Sequence, residues 1–146
     1  MDVIAARAPE PVGVVLTNLD RFIYVNHEHG HPFGDQVLVE FARRFAAAAP
    51  IDHVATRYGG DVFIDLVPGV DDIEQIKSTA RTFLRMCDAP ITIGDVTLEI
   101  RLSAGIAIAP PGDLMEGLRT ADAAMFAAKA RGRARAVCLD PEWEAT

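Results

Sequence analysis

The sequence predicts an α/β fold of the α+β kind, a mostly antiparallel central sheet flanked by helices in a ferredoxin-like or palm-like arrangement. Three observations predict it. Strands and helices alternate in the order β-α-α-β-β-α-β-α-β. The first strand-like run, VGVVLTN, is almost continuously apolar, as a strand covered on both faces should be. Two glycine-containing pairs, Gly59-Gly60 and Gly94-Asp95, punctuate alternating segments as hairpin turns do. With 146 residues, half of them hydrophobic, the chain is long enough for one core. We divide it into an N-terminal extension (1–11), one domain (12–140) and a short C-terminal tail (141–146).

The first strand covers Val12 to Asn18. Asp20 is placed to cap a short helix running to about Glu28. HEHGHPFGD interrupts it with Gly30, Pro32 and Gly34. A long amphipathic helix follows from about Asp35 to Ala49 and stops at Pro50. Two strands, His53 to Tyr58 and Asp61 to Val67, flank the Gly59-Gly60 turn. Asp71 and Asp72 open a third helix that ends near Cys87. Ile91 to Ile93 and Val96 to Ala109 read as a second hairpin. Leu114 to Arg131 is helical and Gly132 is its stop signal. Arg135 to Leu139 is the last strand, and the tail DPEWEAT is expected to fray.

Charge and composition exclude several roles. The formal net charge of −7 lacks the basic surface that general nucleic-acid or anionic-membrane binding needs. No apolar run reaches the roughly 20 residues of a membrane helix. The start, MDVIAARAPEP, does not read as a signal peptide. Cys87 and Cys138 lie far apart in contexts that suggest reduced core thiols, so a cytoplasmic location is expected. His27, His29 and His31 alternate in one loop, which raises zinc as a question; solvated or structural histidines are the plainer reading.

Four blocks carry a resemblance. RYGGDVF at 57–63 resembles the signature that names the GGDEF family. NLDRFIYVNHEHGHPFGDQVL resembles the D-x-D-x-F-K-x-I-N-D-x-x-G-H-x-x-G-D block of that family. LSAGIAIAP resembles T-x-S-x-G-I-A, and ADAAMFAAKARGRARAV resembles A-D-x-A-L-Y-x-A-K-x-x-G-R-N. They occur in family order from Val12 to Val137. The resemblance implies a domain that joins two GTP into cyclic di-GMP on Mg²⁺, each protomer of a dimer presenting one GTP. It also admits members that only sense a nucleotide or bind a partner.

Carried onto this chain, the resemblance assigns guanine reading to Asn26 and Asp35 and phosphate contact to Lys129 and Arg133. It assigns close backbone approach to Gly59 and Gly60, and a phosphate cradle to the amides of Leu19, Asp20, Arg21 and Phe22. The metal would sit on Asn18, Asp61 and the Leu19 carbonyl. Each residue also has a plainer reading. Asn26 and Asp35 suit helix ends, Lys129 and Arg133 suit a helix C-terminus, and the glycines suit a turn. Asp20 suits a helix cap better than a substitute metal ligand.

The departures from the pattern matter most. Asn18 stands at an acidic metal position, Val62 stands at the second acid of the signature, and Ile23 stands at a phosphate-binding Lys. Only Asp61 remains of three acids. The product-inhibition motif R-x-x-D aligns with Pro50-Ile51-Asp52-His53, and a D-x-L-T-G-L segment has no counterpart. The expectation is a degenerate domain with weakened Mg²⁺ binding. It would take a guanine nucleotide, a protein partner or a second copy, and neither nucleic acid nor membrane. The alternative is an active cyclic-dinucleotide synthase.

Overall fold

A computed structural model describes residues 10–146; of the N-terminal extension, residues 1–9 lie outside the described part. The element order is β1 (Val12–Leu19), α1 (Phe22–His29), α2 (His31–Ala48), β2 (Val54–Gly59), β3 (Val62–Pro68), α3 (Ile73–Met86), β4 (Ile91–Ile93), β5 (Val96–Leu98), β6 (Leu102–Ala109), α4 (Leu114–Ala130), β7 (Ala136–Leu139) and β8 (Glu142–Ala145). Six strands form one sheet in the order β2-β3-β1-β6-β7-β8, and β4-β5 form a separate two-stranded ribbon. In the six-stranded sheet only β6 and β7 pair in parallel. The expected α/β class and mostly antiparallel sheet are therefore present.

Alternation along β1 sorts the core into two layers. Val15 and Leu19 face α1, α2 and α3, where Phe41, Phe45, Phe63 and Phe83 meet. The Phe45 and Phe83 rings stack at 4.2 Å between centroids. Val12, Val14 and Leu16 face α4 and pack with Ile64, Leu66, Leu118 and Ala121. The contact between α4 and β6 is close because residue 105 is Gly. A Cβ there would lie 1.9 Å from the Ala121 carbonyl oxygen. This packing fixes the C-terminal end of β1 beside the last turns of α4, which is where the candidate site lies.

Several expected boundaries move. The second helix begins at His31, not Asp35, so Asp35 is past its first turn and does not cap it. Gly30, at φ 86°, absorbs the bend between α1 and α2, and Pro32 is suited to a first helical turn. Asn26 lies inside α1 rather than at its end. Gly59 pairs with Val62, so the β2–β3 turn consists of Gly60 and Asp61. The long strand expected from Val96 breaks after Leu98. β5 folds back on β4, and β6 starts afresh at Leu102 after buried Ile100. The tail does not fray: Glu142–Ala145 forms β8 against β7, with Trp143 opposite Cys138. Both cysteines are free and buried.

Candidate functional site

The site is built on the tip of β1. Asn18 lies directly opposite Val62 on β3 and Ser103 on β6. Residues directly opposed in a sheet point to the same face, here the face covered by α4. The Asn18 amide Nδ2 donates to the Asp61 carbonyl at 3.4 Å. The Leu19 amide donates to the same oxygen at 3.1 Å. The turn carrying Asp61 is thus strapped to the end of β1. Arg57 Nε secures its other side by donating to the Gly60 carbonyl at 2.8 Å. Gly60, at φ 53°, needs glycine for its backbone, while a Cβ at Gly59 or Gly60 would meet no protein atom within 4 Å. The open space above both leaves their backbone accessible.

On the α4 side, Asn18, Met125, Phe126, Lys129, Ala130 and Arg133 line an open cavity of about 720 Å³. The structure therefore brings Asn18, Lys129 and Arg133 to one cavity. Asn26 lies elsewhere, on α1, with its side-chain amide against Gly34 of α2. A Cβ at Gly34 would lie 1.8 Å from Asn26 Oδ1, so the glycine makes room for that amide. Asp35 lines a separate depression of about 370 Å³ with Val39, Arg43 and Ile93.

The backbone cradle is smaller than expected. The Leu19 amide is bound to Asp61, and the Asp20 amide donates to the Arg101 carbonyl at 2.8 Å. Only the Arg21 and Phe22 amides remain as cradle candidates at the α1 N-terminus. The Phe22 side chain is buried in the core, and Ile23 is exposed. Asp20 does not cap α1. Arg21 is the N-cap residue, in left-handed conformation and without a side-chain cap bond. The Asp20 carboxylate turns the other way and accepts from Ser103 Oγ at 2.6 Å, Lys129 Nζ at 2.9 Å and the Ala134 amide at 2.9 Å. Sequence reasoning missed this cluster, because its partners lie 83 to 114 residues away. His27 and His29 close α1 while His31 opens α2. Among the described residues no group of three His, Cys, Asp or Glu side chains is placed to hold a metal ion.

The sequence pattern described as "Diguanylate cyclase, GGDEF domain" matches residues 3–135. The chain belongs to the GGDEF family. Among similar proteins, the response regulator PleD of Caulobacter vibrioides is 34% identical over 128 residues, covering 85% of this chain and 28% of PleD. The cyclic di-GMP phosphodiesterase PdeR of Escherichia coli is 36% identical over 135 residues, covering 90% of this chain and 20% of PdeR. The chain thus spans less than a third of either relative. The crystal structure of the GGDEF domain of YfiN (TpbB) from Pseudomonas aeruginosa superposes with a TM-score of 0.85 at 29% identity, covering 91% of this chain and 89% of that one.

Within this GGDEF domain, the donor set can be tested against Mg²⁺. That ion takes hard oxygen ligands in a near-octahedral shell, usually with one or two carboxylates among them. Asp61 brings one carboxylate. Asn18 brings a neutral amide whose nitrogen is already turned toward Asp61. Val62, on the same face, brings no ligand atom at all. Asp20 is committed to three donors. These residues do not fit a metal site that must also neutralise a triphosphate.

Proposed function

We propose that this GGDEF domain works in cyclic di-GMP signalling as a guanine-nucleotide-binding or partner-binding module and does not make cyclic di-GMP. The observation that carries the reading is the pairing of Asn18 with Val62 across β1 and β3. Two carboxylates at those positions would converge on one ion; an amide and an isopropyl group do not. At an effective dielectric near 20, each carboxylate charge about 4 Å from a divalent ion contributes roughly 8 kcal/mol of attraction. Losing two of three such charges removes most of the driving force for holding Mg²⁺ and sharpening a ribose hydroxyl. Lys129 and Arg133 still supply cations for phosphate oxygens. Asn26 and Asp35 still supply the acceptor and donor pattern that suits a guanine edge. The protein acts in the cytoplasm, where GTP is available.

The competing reading, an active synthase, would enlist Asp61, Asn18 and Asp20 together. The three hydrogen bonds already made by Asp20 weigh against it. Incubation with GTP and either Mg²⁺ or Mn²⁺ should yield no cyclic dinucleotide, while calorimetry should show GTP binding in preference to ATP. Robust product formation would refute the proposal, and binding of neither nucleotide would leave only the partner-binding half of it.

A further inference from the structure

We propose that Asp20 is a positioning residue that presets the phosphate end of the site, acting through Lys129 and the Arg133–Ala134 turn. The inference rests on the nucleotide-binding reading above and adds a residue with a role of its own. The Asp20 side chain is 6% exposed and that of Lys129 is 19% exposed. Oδ1 takes the Ser103 hydroxyl and the Lys129 ammonium, and Oδ2 takes the Ala134 amide. One carboxylate therefore joins the end of β1, the start of β6, the last turn of α4 and the turn leading into β7.

That turn would not hold its shape alone. Gly132, Arg133 and Ala134 have φ of 123°, 64° and 52°. Two successive residues with a Cβ in the left-handed region are unfavourable. The bond from the Ala134 amide to Asp20 is what compensates, aided by the Arg133 amide donating to the Ala128 carbonyl at 3.0 Å. Arg133 and Lys129 both line the cavity beside Asn18. An ammonium has three donors. With one directed at Asp20, Lys129 keeps two for ligand oxygens and is held at the cavity wall. An arriving polyphosphate then meets two cations already in place, which avoids the entropy of ordering them during binding.

The test compares GTP with guanosine, which lacks phosphate, on the wild-type protein, Asp20→Asn, Asp20→Ala and the double variant Asp20→Ala/Ala134→Gly. Affinities come from calorimetry and chemical-shift titration. Asp20→Ala should weaken GTP on the order of tenfold, the scale of one lost charge-assisted contact, and leave guanosine unchanged. Asp20→Asn keeps an acceptor for the turn but offers Lys129 no charge, so its loss should be smaller. Adding Ala134→Gly should recover part of the affinity, because glycine enters the left-handed region freely. Amide exchange across 131–135 should accelerate in Asp20→Ala while the interior of α4 stays protected. The proposal is overturned by unchanged GTP affinity, by equal loss of GTP and guanosine, or by unchanged exchange at 131–135. If the wild-type protein binds neither ligand, the nucleotide reading falls, and the exchange measurement still decides whether Asp20 holds the turn.

Discussion

Among single residues, Asp65 is the most unusual. It sits on a central strand with a fully buried side chain, facing the aromatic layer under α2 and α3. His53 Nδ1 lies 2.7 Å from its Oδ2, and its Oδ1 has no partner among the described residues. Burial raises the Asp65 pKa to about 6, while the hydrogen bond and charge of His53 pull the other way. A carboxyl whose folded pKa lies above its unfolded value binds its proton more tightly in the native state. Its ionisation therefore costs stability that is intact at about pH 4 and is lost as pH rises through about 6. The shift of roughly two units corresponds to about 2–3 kcal/mol. Asp65→Asn cannot ionise and should lose this slope. Urea unfolding of both proteins between pH 4 and 8 should show the wild type falling behind the variant by about that amount; parallel curves would mean that the pair stays charged and compensated throughout. Neither residue stood out in the sequence, since a polar residue inside VFIDLVP is visible but its partner, 12 positions earlier in a loop, is not.

At the level of elements, β8 shows what local sequence conceals. DPEWEAT reads as a terminal tail because its charges and proline outweigh any apolar pattern. In the fold, Trp143 is half-buried against the α3 side of the core, and Lys77 and Arg81 stand 5.5 and 5.2 Å from its ring centroid. Pairing with β7 and burial of one indole are tertiary facts, so periodicity could not announce them. The ion pairs of Arg131 and Arg135 with Glu142 and Glu144 are solvated and contribute little by comparison. Trp143→Ala should therefore cost about 2 kcal/mol, less than a fully buried aromatic, while Glu144→Ala should be nearly neutral; denaturant midpoints of the two variants would separate packing from charge. The helices and inner strands were legible for the complementary reason. β1, β3, α3 and α4 each carry a long apolar pattern with clear stop signals. The resemblance gave Asn18 a metal role and Lys129 and Arg133 phosphate roles, and the fold places all three on one cavity. It did not foretell that Asp20 would turn from α1 to α4, since a cap and a long-range acceptor look alike in sequence.

For the whole molecule, the fold can be separated from the side chains at the tip of β1. The sheet, both helical layers and the tight α4–β6 contact depend on apolar side chains and glycines, none of which is a metal ligand. Acids at the tip of β1 and at the start of β3, where this chain has Asn18 and Val62, are consequently not needed for folding. Without a cation, three carboxylates converging there would repel one another, a strain that Asn18 and Val62 beside Asp61 avoid. Introducing those acids reverses that balance. The double variant Asn18→Asp/Val62→Glu should be destabilised by about 1–2 kcal/mol without divalent ions, the scale of like charges a few ångströms apart at a partly exposed site. It should regain that stability, and more, in Mg²⁺ or Mn²⁺: an ion present at 100 times its dissociation constant adds about 2.7 kcal/mol. For a domain of this size that is a rise of roughly 5–10 °C in melting temperature. The wild-type protein, with Asp61 alone, should show no specific shift beyond that of added salt. Matched melting curves with Mg²⁺, Mn²⁺ and an equal ionic strength of NaCl separate these outcomes. A wild-type domain stabilised by Mg²⁺ as strongly as the variant would mean that Asn18 and Asp61 grip the ion without help, and the argument from missing charge would fail.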